Sequence, residues 1–195
     1  MKTKAKLGAF PLVYPIPIVL AGANVNGRPN YATLGDCGVM GINPPLVYVS
    51  LGQKHYTTKG IFENNTYSVN FPSTGMLAVT DYCGIVSGNE VDKSELFETF
   101  CGDLGTAPMI RECPVNLECR VIKEFSIRHR QIFVGEVVQA HVDEGFVTER
   151  DGRRVIADMT RLDPIIYALE NQYYRIGEPI GAGYREGRDL QHQRT

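Results

Sequence analysis

The sequence predicts a mainly β domain: an antiparallel barrel with short helices inserted, an α+β arrangement built on strands. Three observations carry this. Short runs of apolar β-formers are separated by Gly, Pro, Asn and Asp. Asn26-Gly27 and Asp151-Gly152 are two-residue hairpin signals, so neighbouring strands run antiparallel. Helical spacing appears only after the first four or so strands, and strands then resume. Closing such a sheet would remove its exposed edges.

In order, Ile16 to Val25 reads as a strand. Its hairpin partner is Arg28 to Leu34, with Pro29 marking an edge. Gly35, Gly38 and Gly41 break up the next segment into a bend that leads to a third strand. Leu46 to Leu51 is a continuous apolar run, the pattern of a strand covered on both faces. His55 to Asn65 forms a short helix that stops at the Asn pair, and Tyr67 to Phe71 the next strand, ended by Pro72. Ser73 or Thr74 caps a second helix through about Ile85. Met76, Val79, Thr80 and Cys83 fall on one side of it, and Gly84 and Gly88 end it. Val91 to Phe100 is mixed, a helical turn within a longer excursion. Val115, Leu117, Cys119 and Val121 alternate with Asn116, Glu118 and Arg120, as in a half-buried strand. Ile132 to Val142 is another strand, its alternation slipping at Gly135 and Glu136 as at a bulge. The chain reads as one domain, 1–195, with a polar tail from about 187 that is expected to fray.

Composition narrows the function. The chain of 195 residues is 43% hydrophobic and 22% charged, ordinary values for a globular protein with a real core. A net charge of −2 argues against nucleic acid, which needs a basic face. No apolar stretch reaches the length of a membrane span. Lys2, Lys4 and Lys6 before an apolar segment resemble an export signal, but Pro11, Pro15 and Pro17 break it, so a cytoplasmic location is expected. The Asn64-Asn65-Thr66 glycosylation pattern then has no bearing. Five cysteines in no paired spacing read as reduced thiols.

No P-loop pattern is present, and Gly181-Ala182-Gly183 follows no βαβ unit, which argues against a Rossmann reading. His55, His129, His141 and His192 have no metal-ligand spacing. His129, between Arg128 and Arg130, reads as a solvated basic turn, with an anion contact as the alternative. Cys83 has apolar helical partners, Met76 and Val79, and reads as a buried structural thiol. The informative cluster is Lys54, His55, Thr57 and Thr58, just before a helix. Hydroxyls and unpaired N–H groups at a helix start suit a phosphate.

The string from Ala32 to Leu51, Ala-Thr-Leu-Gly-Asp-Cys-Gly-Val-Met-Gly-Ile-Asn-Pro-Pro-Leu-Val-Tyr-Val-Ser-Leu, followed by His55-Tyr56-Thr57, resembles the flavin reductase-like proteins with an FMN-binding split barrel. It is most similar to their flavoredoxin-type branch. Tyr173-Tyr174-Arg175-Ile176-Gly177-Glu178-Pro179-Ile180-Gly181 resembles that branch too. The resemblance runs from about Val13 to about Tyr184 and implies an FMN-binding split barrel, antiparallel and of Greek-key type. It also implies a role for each site residue. Tyr31, Ala32, Thr33 and Leu34, and the bend through Cys37, would run along the flavin ring and ribityl chain. Val49, Ser50 and Leu51 would back them. Lys54, His55, Tyr56, Thr57 and Thr58 would cradle the phosphate. Asn70 and Asp81 to Gly84 would close over the ligand. Cys37 would tune the ring edge, with a redox-active thiol as the weaker reading. A homodimer is implied, with the flavin near the interface. Tyr173, Tyr174 and Arg175 would then face the partner's flavin or, equally, pack the C-terminal segment onto the barrel.

The expected activity is an FMN-dependent oxidoreductase, moving electrons or reducing flavin with NADH, NADPH or a redox partner protein as donor. No general acid or base is assigned, because the cofactor carries the chemistry. Three rivals stand beside it: a reductase releasing reduced flavin to a partner monooxygenase, a non-catalytic FMN-binding protein, and a ligand-free β-barrel interaction module.

Overall fold

The computed structural model, which describes residues 2–188, divides the first expected strand in two: β1 (Ile16–Pro17) and β2 (Val19–Val25). Asn26 and Gly27 take φ of 50° and 77°, the positive pair that a tight primed hairpin requires. They return the chain as β3 (Arg28–Leu34), an edge strand, as Pro29 indicated. The glycine-rich segment is not a bend but a strand, β4 (Cys37–Ile42). Its glycines make room rather than break pairing: a Cβ on Gly38 would come 2.9 Å from the Tyr48 ring, and the register slips between Val39 and Gly41.

β5 (Pro45–Gly52) alternates in burial, with Val47, Val49 and Leu51 inside and Tyr48 and Ser50 half-exposed. The apolar run is therefore covered on one face, not two. α1 (Tyr56–Asn64) ends at Asn65, whose φ of 54° is a left-handed cap. β6 (Thr66–Phe71) follows, and a 3₁₀ turn at Thr74–Met76 leads into α2 (Leu77–Ile85). The expected Ser73 or Thr74 side-chain cap is not made at either start. Thr80 and Cys83 of α2 are buried as their spacing indicated, but the helix continues through Gly84. Residues 91–98 are irregular, not the expected helical turn. Buried Lys93 and Phe97 anchor this stretch to the body, and tertiary contact overrides local propensity.

After β7 (Thr99–Phe100) and β8 (Met109–Ile110) come two long strands, β9 (Val115–Ile127) and β10 (Arg130–Val142). Their register shifts between Val134 and Gly135 and again between Val137 and Gln139, at the expected bulge. β11 (Val147–Arg150) and β12 (Arg153–Ile156) form the second hairpin, with Asp151 and Gly152 at φ of 53° and 70°. β13 (Ile165–Ala168) pairs with β1 and with β14 (Gln172–Arg175). The expected polar tail lies almost wholly outside the described residues.

The main sheet has the order β3-β2-β6-β9-β10-β5-β4, and every pairing in it is antiparallel. β3 and β4 occupy opposite edges, yet only Gly35 and Asp36 separate them. Three Cα–Cα steps span at most about 11 Å. The two edges must therefore meet, and the sheet rolls into a barrel split between β3 and β4. Its interior gathers Val19, Val47, Val49, Leu51, Val69, Cys119 and Phe133 from five strands.

A second cluster, Leu20, Tyr31, Cys83, Phe97, Ile110 and Cys113, lies where α2 and the excursion before β9 cover the sheet. This cover corrects the reading of β9. Asn116 and Glu118 were the polar half of its alternation, yet both are buried. Asn116 Nδ2 donates to Asn70 Oδ1 and to the Ile110 carbonyl, each at 2.8 Å. Glu118 accepts from the N–H groups of Leu104 (2.9 Å) and Asp103 (3.2 Å) and pairs with His141 Nε2 at 2.6 Å. Burial opposes its charge, but these partners outweigh it and hold the carboxyl below the usual range.

Candidate functional site

A cleft of about 150 Å³ lies where β3, the start of α1 and the loop after α2 meet. Strand alternation decides what β3 contributes. Asn30 and Ala32 line the cleft, while Tyr31 and Thr33 are turned toward α2 and the second cluster. α1 contributes His55, Tyr56 and Thr57. A helix leaves its first N–H groups without intrahelical partners. Here the His55 N–H donates to the Gly52 carbonyl and the Thr58 N–H to the His55 carbonyl, each at 3.0 Å. Among the described residues the N–H groups of Tyr56 and Thr57 have no such partner. Asn30 Nδ2 donates to Thr57 Oγ1 at 2.7 Å, and both residues are buried.

Lys93 closes the cleft from the far side. It is only 3% exposed, and its Nζ donates to the Cys83 carbonyl at 2.8 Å and the Tyr31 carbonyl at 3.1 Å. An ammonium has three N–H donors, so one remains. Among the described residues no carboxylate pairs with it. Burial pulls it below the usual lysine range. His55 is likewise pushed down, by burial first and then by Arg130 and Lys93, which favours its neutral imidazole.

The structure brings together Ala32, His55, Tyr56 and Thr57 of the expected set. It directs the other side chains elsewhere. Leu34, Val49 and Leu51 pack in the barrel core, and Cys37 packs against it. Burial raises the Cys37 thiol to about 12, which weighs against the weaker, redox-active reading. Thr58 donates inward to the Gly52 carbonyl at 2.9 Å. Thr33 donates to the Thr80 carbonyl. Ser50 lies on the outer face of β5 and accepts from Arg130 Nε at 3.1 Å. Lys54 sits beside the cleft in an open groove with Lys59 and Phe62. Asn70 is fully enclosed, donating to the Leu20 carbonyl and accepting from the Ile110 N–H.

Tyr31 is also enclosed, its hydroxyl 2.7 Å from Thr99 Oγ1 and its ring edge-on to Phe97. Tyr31→Phe is expected to cost about 1 kcal/mol, a drop of roughly 2–4 °C in a thermal melt. Ligand affinity at the cleft should not change.

The flanking residues separate in the same way. Tyr173 donates to Asp81 Oδ1 at 2.6 Å and packs edge-on against Tyr167, so it ties the C-terminal segment to α2. Arg175 donates to Thr74 Oγ1 at 2.8 Å, while Tyr174 is exposed. His129 is exposed in the turn after Arg128, whose φ is 53°, the solvated basic turn that its arginine neighbours indicate. Cys83 borders the cleft, but burial raises its thiol, with Lys93 opposing only in part.

Sequence reasoning missed Asn30 and Lys93. Asn30 had a weak signal, since it shares a strand face with Ala32. Lys93 had none, because it lies in irregular backbone with no periodicity. Among the described residues no group of three or more His, Cys, Asp or Glu is placed to hold a metal, and no helix is long and apolar enough to cross a membrane.

Residues 12–171 match the flavin reductase like domain family. The chain is similar in structure to flavoredoxin from Methanosarcina acetivorans, with 42% identity and a TM-score of 0.87 over 97% of this chain and 99% of that one. It is similar to flavoredoxin of Desulfovibrio vulgaris (Miyazaki F), with 33% identity and a TM-score of 0.85 over 95% of this chain and all 100% of that one. An uncharacterized protein of Archaeoglobus fulgidus is 31% identical over 135 residues, 68% of this chain and 75% of that protein.

Proposed function

The chain belongs to the flavin reductase-like family, and from that premise we propose that it is an FMN-binding oxidoreductase whose cleft at the start of α1 seats the cofactor's phosphate. One observation carries this reading: the buried Lys93 ammonium keeps an unspent N–H and has no carboxylate partner among the described residues. A buried charge without a counter-charge costs several kcal/mol. An anion in the cleft would supply that counter-charge.

The rest of the donor set agrees. Lys93, the Thr57 hydroxyl and the first N–H groups of α1 border one cleft, and each has a hydrogen to donate. That suits phosphate oxygens, which only accept. Sites for whole drug-sized ligands run roughly 300–1,000 Å³. A cleft of about 150 Å³ therefore seats the phosphate tail, not the entire cofactor. A single phosphate cradle among the described residues favours FMN over FAD. The relatives at 42% and 33% identity are flavoredoxins, which supports an electron-transfer role.

When bound, FMN would supply two-electron acceptance from NADH, NADPH or a protein donor. The protein's own part is to hold and orient it. No side chain is assigned as acid or base, and burial holds the Cys37 and Cys83 thiols above their usual range. The expected assembly is a homodimer, supported by the apolar side chains of Val39, Met40 and Ile42 on β4 and Ile122, Phe125 and Ile127 on β9, all exposed.

The test is the absorbance spectrum of the purified protein, with mass spectrometry of any released ligand. A flavin band, FMN in the released fraction and anaerobic bleaching by NADH or NADPH are expected. Retention of the colour through gel filtration separates a resident cofactor from a released one. A protein that carries no flavin and takes none up would overturn the reading.

A further inference from the structure

We propose that Asn30 is a positioning residue that orients the Thr57 hydroxyl as a hydrogen donor to the ligand's phosphate. The inference rests on the phosphate reading above and adds a residue to it.

The argument is a count of hydrogens. A threonine hydroxyl has one hydrogen and two lone pairs. A phosphate dianion has no hydrogen, so in the loaded site Thr57 must donate to it. Thr57 Oγ1 is 2.7 Å from the Asn30 amide, and the residue is 1% exposed. If Thr57 spends its hydrogen on the phosphate, the contact with Asn30 holds only with Asn30 Nδ2 as donor. The amide is in that orientation. The resulting chain runs Nδ2–H to Oγ1, then Oγ1–H to phosphate, and each bond polarises the next.

The surroundings keep this chain dry and fixed. Asn30 is 3% exposed and sits on a strand, not a loop. Gly88 closes over it, and a Cβ there would overlap Asn30 Oδ1 and come 2.8 Å from the Tyr56 ring. Asn30 itself would not touch the phosphate. It acts through Thr57, and its loss should be felt only by ligands that carry a phosphate.

The experiment measures FMN and riboflavin affinities by fluorescence quenching for the wild type, Asn30→Leu, Thr57→Val and the double variant. Leucine keeps the number of side-chain heavy atoms and removes the donor. Asn30→Leu is expected to weaken FMN roughly fivefold to tenfold, to leave riboflavin unchanged, and to add nothing in the Thr57→Val background. Circular dichroism checks the fold, and Asn30→Asp, which can only accept from Thr57, repeats the test if leucine is not tolerated. Equal losses for both flavins, or an Asn30→Leu effect that persists without the Thr57 hydroxyl, would overturn the role. A wild type that binds FMN and riboflavin equally would instead overturn the phosphate reading, and the Asn30 role with it.

Discussion

Lys93→Met is expected to weaken FMN binding by about 30-fold or more while leaving the unliganded fold intact. The variant removes one charge-assisted hydrogen bond to phosphate, worth about 2 kcal/mol, and each 1.4 kcal/mol is roughly tenfold in affinity. Methionine keeps the apolar stem inside. The Cys83 and Tyr31 carbonyls lose a donor, but the free protein also sheds a buried charge, and these effects oppose each other. The melting temperature without ligand should therefore move little, whereas the stabilisation that FMN adds should shrink with its affinity.

The pH response of the free protein follows from the same group. Burial lowers the Lys93 ammonium from the usual 10.5, so the folded chain releases this proton at a lower pH than the unfolded chain. In that interval the unfolded state binds more protons, and stability rises with pH. Lys93→Met removes this rise. The matching change at exposed Lys54 should weaken FMN by a few-fold at most, since an exposed charge is screened by solvent. An unchanged FMN affinity in Lys93→Met would mean that the ammonium does not meet the phosphate.

Gly60→Ala should destabilise the protein, against the usual sign. In an ordinary helix interior this change gains up to about 1 kcal/mol. At Gly60 the helix lies directly on β2: a Cβ would overlap the Asn24 carbonyl oxygen and come 2.8 Å from Val25 Cγ2. Backbone cannot yield as a side-chain tip can. Overpacking of this kind costs about 1–3 kcal/mol, a fall of roughly 2–12 °C in the melting temperature for a chain of this length. Asn64 Nδ2, which donates to the same Asn24 carbonyl at 2.8 Å, would be displaced too. Because α1 carries Thr57, FMN affinity should fall alongside stability. A melt that is unchanged or higher would show that α1 does not sit this close to β2.

Legibility from sequence followed the range of the interactions. β2, β3, α1 and β6 were readable because hairpin dipeptides and burial periodicity are local signals. β4 was misread because Gly38 serves a cross-strand contact with Tyr48, which no local pattern reveals. Glu118 was misjudged because a charged residue in an alternating strand reads as solvent-facing unless the loop bringing the Asp103 and Leu104 N–H groups is known. At the site, the helix start with His55, Tyr56 and Thr57 stood out, since an anion-suited helix terminus is itself a local feature. Lys93 did not, being joined to the cleft only through long-range bonds to Tyr31 and Cys83. The family resemblance named a whole stretch, and strand alternation then parted Ala32 from Tyr31.

The most direct measurement is a crystal structure of the protein with FMN. A phosphate oxygen should lie within hydrogen-bond reach, about 2.7–3.2 Å, of both Lys93 Nζ and Thr57 Oγ1, at the first turn of α1. A phosphate bound elsewhere on the chain, with the Lys93 ammonium still facing only the Cys83 and Tyr31 carbonyls, would contradict the assignment.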